Sequence, residues 1–138
     1  MKKFTFLLLS ILMLFGCSKK SDDSTTSEYS NKLQLGKGLN VTNFFELTGV
    51  GTTFEANALI YFRLESSSDM SGSDVKIQID KQDGSSYNSL TYTNTQNYGH
   101  IFLSSFIIND PGTYKATGIL IKNSKTVAST NFTIYVTK

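Results

Sequence analysis

Residues able to do chemistry are few in this chain, and they are poorly grouped. His100 is the only histidine in 138 residues, so a proton-relay triad would have to be built around it, and no second imidazole is there to help it hold zinc. A solvated or hydrogen-bonded loop position is the simpler account of it. Ser73-Asp74-Val75-Lys76 has a Ser-x-x-Lys spacing, which serves acyl transfer only when serine and lysine share one helical face. Here the four residues open an alternating stretch, where an odd separation sends the two side chains to opposite faces. Gly36-Lys37-Gly38 and Gly49-Val50-Gly51 lack the third glycine and the strand-to-helix setting of a phosphate cradle, and they read as turns. Asp80 and Asp83 beside Gly84 offer two carboxylates, against the roughly six to eight oxygens that calcium takes. No nucleophile, base and oxyanion donor can be assembled, so the sequence predicts neither an enzyme nor a metal site.

The composition fits one compact domain. Of the residues, 39% are hydrophobic, 12% aromatic and 17% charged, with one proline, one cysteine and no tryptophan. That is too apolar for a disordered polypeptide and too short for a two-lobed enzyme.

The N-terminal segment has the grammar of a removable leader. Met1-Lys2-Lys3 is cationic, Phe4 to Phe15 is apolar apart from Thr5 and Ser10, and Gly16 precedes the single cysteine. As a helix the apolar run would reach about 18 Å, short of a hydrocarbon core of roughly 30 Å, so residues 1–16 are predicted to be cut rather than kept as a span. Leu14-Phe15-Gly16-Cys17 resembles the lipobox of bacterial lipoproteins. The resemblance implies a diacylglyceryl thioether on Cys17 and an N-acyl chain on the new amino terminus, with no other cofactor. Several acyl chains anchor stably where one is marginal. The competing account is an unpaired thiol in an ordinary secreted protein.

Ser18 stands where an aspartate would favour inner-membrane retention in many Gram-negative bacteria. Lys19, Lys20, Ser21, Asp22 and Asp23 are similar to the lysine-then-acidic signals that send some lipoproteins to the outer leaflet. The resemblance implies the outer membrane of a Gram-negative bacterium, with the protein facing the exterior. Taken by itself, the polar run after Cys17 is a solvated tether, placed at residues 17–32, with a mean reach of about 20 Å. Lys and Arg number 13 against 11 Asp and Glu; without Lys2 and Lys3 the balance is even. The only arginine is Arg63, so no basic stripe is left for nucleic acid.

From Leu33 onward the pattern turns to alternation, with Val, Ile, Thr, Tyr and Phe separated by Gly, Asn, Asp and Ser. An all-β domain is predicted over residues 33–138. Its clearest strand is Ala58 to Glu65, with Ala58, Ile60, Phe62 and Leu64 on the core side. Val75 to Asp80 follows, then an Asp83-Gly84 turn, a weaker strand at Leu90 to Thr93, and a good one at Ile101 to Ile108. Thr113 to Lys122 and Thr126 to Val136 close as a hairpin with Asn123-Ser124 at its tip. Leu33 to Leu39 and Phe44 to Leu47 add short strands at the start. Seven to eight strands in about 106 residues are the dimensions of a β-sandwich.

Asp110-Pro111-Gly112-Thr113-Tyr114-Lys115-Ala116 resembles the tyrosine corner of immunoglobulin-like domains, with Asp110 and Gly112 in the turn and Tyr114 leading a strand. The resemblance implies an immunoglobulin-like β-sandwich and a structural bond from the Tyr114 hydroxyl to upstream backbone. Ala116 replaces the second cysteine of antibody domains, and there is no core tryptophan, which leaves the looser bacterial or fibronectin-type variants. No catalytic residue comes with the fold.

Ser85 to His100 is rich in Tyr, Ser, Asn and Gly, the mixture of binding loops: tyrosine supplies rigid contact area and the small polar groups bond adaptably. Tyr87, Tyr92, Asn94, Asn97 and Tyr98 are its candidate contact residues. The plainer account is an edge strand whose tyrosines cover the core; Tyr87 and Tyr92 differ in parity, so at least one faces inward. Leu59 and Tyr61 form an outward apolar pair, expected to be covered within the molecule. The function expected is a lipid-anchored, surface-exposed recognition or adhesion module for a glycan or a protein. A structural subunit of an envelope assembly is the alternative, and neither reading determines an oligomeric state.

Overall fold

The structure is a computed structural model that describes residues 28–93 and 99–137. Cys17 and its neighbours, from the leader through the export signal, lie outside the described residues. Ten strands form, and the described residues contain no α-helix: β1 (Lys32–Gly36), β2 (Gly38–Leu39), β3 (Leu47–Thr48), β4 (Thr53–Glu55), β5 (Leu59–Glu65), β6 (Val75–Lys81), β7 (Ser86–Tyr92), β8 (Ile101–Ile107), β9 (Gly112–Leu120) and β10 (Lys125–Tyr135). They assemble into a three-stranded sheet, β1-β5-β8, a five-stranded sheet, β4-β10-β9-β6-β7, and a small β2-β3 ribbon. All pairings are antiparallel except that of β4 with β10.

Alternation explains the two larger sheets. Ile60, Phe62 and Leu64 of β5 and Val75, Ile77 and Ile79 of β6 are fully buried, as a period of two requires when one face meets a core. Phe62 of one sheet lies edge-on to Tyr92 of the other at 5.4 Å, and Phe106 meets Phe132 at 5.9 Å across the same gap. Gly118 on β9 lets the sheets close, since a Cβ there would sit 2.6 Å from a methyl of Leu64. Such approach distances keep the core at crystal-like density.

The short elements differ from expectation in instructive ways. Ala58 is half-buried in the turn before β5 rather than a core strand residue. Thr53–Glu55 is a strand that local pattern does not announce, because only Phe54 faces the core and its partner is β10, far along the chain. Phe44 to Leu47 is mostly a turn: the Asn40 side chain accepts from the amides of Thr42 and Asn43, an Asx arrangement that holds the backbone out of strand geometry. The Asp83-Gly84 turn forms as expected, with Gly84 at φ 83° and its amide bonded to the Lys81 carbonyl.

Residues ahead of β1 are already docked. The Ser30 amide donates to Glu65 Oε1 at 2.7 Å, the Ser67 amide donates to Asn31 Oδ1 at 2.9 Å, and the Tyr29 ring stacks on His100 at 4.7 Å. The chain therefore leaves the domain at the end where β5 finishes and β8 begins, since Glu65 pairs with Ile101.

Candidate functional site

Tyr114 lies near the start of β9. Its hydroxyl donates to the Asp110 carbonyl at 3.0 Å, and the side chain is buried against Phe132 and Tyr87. Burial pushes the phenol's pKa up, with the charges of Tyr87 and Asp110 adding to the rise. Ala116, two residues on, is fully buried.

Of the tyrosine-rich segment, the structure turns both Tyr87 and Tyr92 inward. The β6-β7 register slips between Ile79 and Asp80, which adds one residue to β7 and cancels the odd separation. Tyr87 then packs edge-on against Tyr114 at 5.1 Å. Tyr92 packs against Phe62 and Phe102 and donates its hydroxyl to the Ser105 carbonyl at 2.8 Å. Burial raises the Tyr92 pKa, opposed by the Ser104 hydroxyl. These two rings thus cover the core and offer little face to a ligand. Asn94, Asn97 and Tyr98 lie outside the described residues.

His100 Nδ1–H donates to the Ser66 carbonyl at 2.8 Å and the ring is stacked by Tyr29, a structural setting. Ser73 is buried, and its hydroxyl donates to the Asp74 carbonyl, while Lys76 sits on the outward face of β6. The Asp80 carboxylate accepts from Gln78, and Asp83 accepts from the amide and hydroxyl of Ser85, which lower its pKa. Among the described residues no group of three or more His, Cys, Asp or Glu is placed to hold a metal ion, and no helix is long and apolar enough to cross a membrane.

An open groove lies at the end of the domain away from Ser30. It is lined by Lys37, Glu55, Ala58, Leu59, Tyr61 and Tyr135. Three separate stretches of chain build it. The parallel pairing sets Tyr135 beside Glu55, and the Ala56 amide donates to the Tyr135 carbonyl at 2.8 Å. A tight reversal then delivers β5: Asn57 adopts φ 65°, its amide bonds the Ile108 carbonyl, and the Ala58 amide bonds Glu55. Asparagine is among the few side-chain-bearing residues that enter this region readily. Lys37 arrives from the end of β1.

The expected internal cover of Leu59 and Tyr61 is only partial. Tyr61 is half-buried, but Leu59 is 43% exposed and its cross-strand neighbour Ile107 is 50% exposed. Tyr135 adds a ring that is 39% exposed. The groove thus combines tyrosine faces and aliphatic area with an ammonium and a carboxylate, the latter hydrogen-bonded by the Thr137 hydroxyl. Flat apolar faces can stack on sugar C–H surfaces or peptide side chains, while Lys37 and Glu55 can donate to and accept from the polar edges. Sequence reasoning picked out only the outward Leu59 and Tyr61.

Comparison with protein-family models and with curated proteins finds no match to this chain.

Proposed function

We propose that the chain is a lipid-anchored outer-membrane protein, exposed on the cell surface, whose domain is an immunoglobulin-like β-sandwich serving as a non-catalytic recognition or adhesion module for a glycan or a protein. The strand order supports the fold: lettered in the usual way, β1-β5-β8 is A-B-E, and β10-β9-β6-β7 is G-F-C-C′. The Tyr114 bond at the turn into β9 supports it independently. The lipid rests on the Leu14 to Cys17 motif, and the exterior location on Lys19 to Asp23.

The observation that carries the recognition reading is the tyrosine-lined groove at the end opposite the docked tether. A head held from one end presents the other to the medium. The test is binding of the full chain to glycan and protein arrays, repeated with Tyr61→Ala and Tyr135→Ala. Loss of about tenfold or more in affinity is the expected result for contacts of this size. Binding that survives both substitutions but is lost in Tyr98→Ala would move the contact to the Tyr- and Asn-rich segment.

The open edges favour a second reading, a structural subunit of an envelope assembly. Neither β7 nor β8 has a strand partner on its outer side among the described residues, and a free edge can accept a strand from a neighbour. A stoichiometric partner recovered after gentle crosslinking on whole cells would favour that reading.

A further inference from the structure

The loop from Asn40 to Glu46 is ordered yet turns its apolar side chains outward. The Asn40 amide donates to the Glu46 carbonyl at 2.9 Å, the Glu46 amide to the Asn43 carbonyl at 2.9 Å, and the Asn40 carboxamide to the Glu46 carboxylate at 3.2 Å. The Asn40 and Asn43 side chains accept the amides of Thr42 and Phe45. Within this bonded frame Val41 is 83% and Phe44 66% exposed. Val41 and Phe44 thus project from a turn held by hydrogen bonds to the Asn40 and Asn43 side chains, and their apolar surface can be buried without undoing that turn.

Its place in the fold is specific. Leu47 lies over Gly36, which pairs with Tyr61, whereas the Phe45 carbonyl accepts from Arg63 Nε at 2.8 Å. The hairpin therefore runs along the outer face of the three-stranded sheet toward the end where the chain enters the domain. Arg63 also pairs with Glu65, and the other Glu65 oxygen takes the Ser30 amide. Ser30, Glu65, Arg63 and the Phe45 carbonyl form one hydrogen-bonded series joining the chain entry to the loop. Cys17 lies thirteen residues ahead of Ser30, a distance that chain can span up to about 45 Å.

We propose that the Val41–Phe44 loop inserts into the interfacial zone of the same bilayer that holds the lipidated Cys17. The inference rests on the lipid-anchor reading given above. A β-branched aliphatic residue and an aromatic ring on a rigid tip suit the headgroup boundary, where apolar side chains are buried without crossing the core. Insertion fixes the orientation of the head and directs the Tyr135 groove away from the lipid.

The protein has no tryptophan, so Phe44→Trp is a single reporter. Val41→Trp is a second, and Asn109→Trp, beyond the far end of β8, is the control. The lipid-modified full chain is reconstituted into vesicles of phosphatidylethanolamine and phosphatidylglycerol, with and without brominated acyl chains. The expected result is blue-shifted emission and at least threefold stronger bromine quenching for Trp at 44 and 41 than at 109. Quenching equal to the control with palmitate incorporated overturns the inference and leaves the anchor standing. A blue shift without quenching means that the loop is covered by protein, a second copy included, and overturns it as well. Failure of radiolabelled palmitate to incorporate removes the anchor, and the inference with it.

Discussion

The Tyr114 hydroxyl reaches four residues back to the Asp110 carbonyl at 3.0 Å, spanning the turn that feeds β9. The Tyr114 ring stacks on Phe132 and meets Tyr87 edge-on, so removing the hydroxyl alone tests the bond separately from the packing. Tyr114→Phe is expected to lower stability by about 1 kcal/mol in urea unfolding, the usual net worth of one such bond. Tyr114→Ala adds a cavity and should cost about 3–5 kcal/mol. A Tyr114→Phe variant as stable as the parent would show that the hydroxyl contributes nothing.

Alkaline titration probes the same residue and Tyr92. Burial raises both phenol pKa values in the folded state. A group whose folded pKa lies above its unfolded value gives stability that is complete below the unfolded pKa, about 10 for tyrosine, and is lost as pH rises toward the folded value. Stability should therefore be level up to about pH 9.5 and fall above it. In Tyr92→Phe, Tyr114→Phe the fall should be shallower, as measured by urea midpoints across pH.

Acid should act at the other end of the domain. Burial raises the Glu65 pKa, but hydrogen bonds from Ser30 and Arg63 and the Arg63 charge outweigh it, and the net shift is downward. A depressed carboxyl contributes stability that is present above its unfolded pKa and lost as pH drops through the folded one. The Ser30 amide should be protected from hydrogen exchange at pH 6 and lose that protection below about pH 4. Glu65→Gln should weaken the protection at pH 6 and remove its dependence on acid.

Gly118 is a packing requirement. Its added Cβ would meet a methyl of the fully buried Leu64 at 2.6 Å, so the leucine side chain or the sheets would have to shift. Gly118→Ala is expected to cost about 1–3 kcal/mol through overpacking. Combining it with Leu64→Ala should give a loss smaller than the sum of the two single changes, a coupling readable in a double-mutant cycle.

The long strands were legible because each carries its own alternation: Val75, Ile77 and Ile79 need only one buried face to declare their period. Tyr114 was legible through its turn. What escaped depends on partners distant in the chain. Thr53–Glu55 exists because β10 lies beside it, and Tyr87 turns inward only because of a slip against β6. The groove draws Lys37, Glu55, Tyr61 and Tyr135 from four strands or their ends, and no window of sequence contains it. Phe44 was misread as strand because its apolar character was visible while the capture of two backbone amides by the Asn40 side chain was not.

The way β1 joins β5 also governs how the head bears a load. Ladder bonds stand perpendicular to the strand axis, and Lys32 through Gly36 are paired with Glu65 through Tyr61. A tug drawn along β1 through Ser30 strains all these cross-links in shear together. They would have to rupture as a set rather than peel off singly.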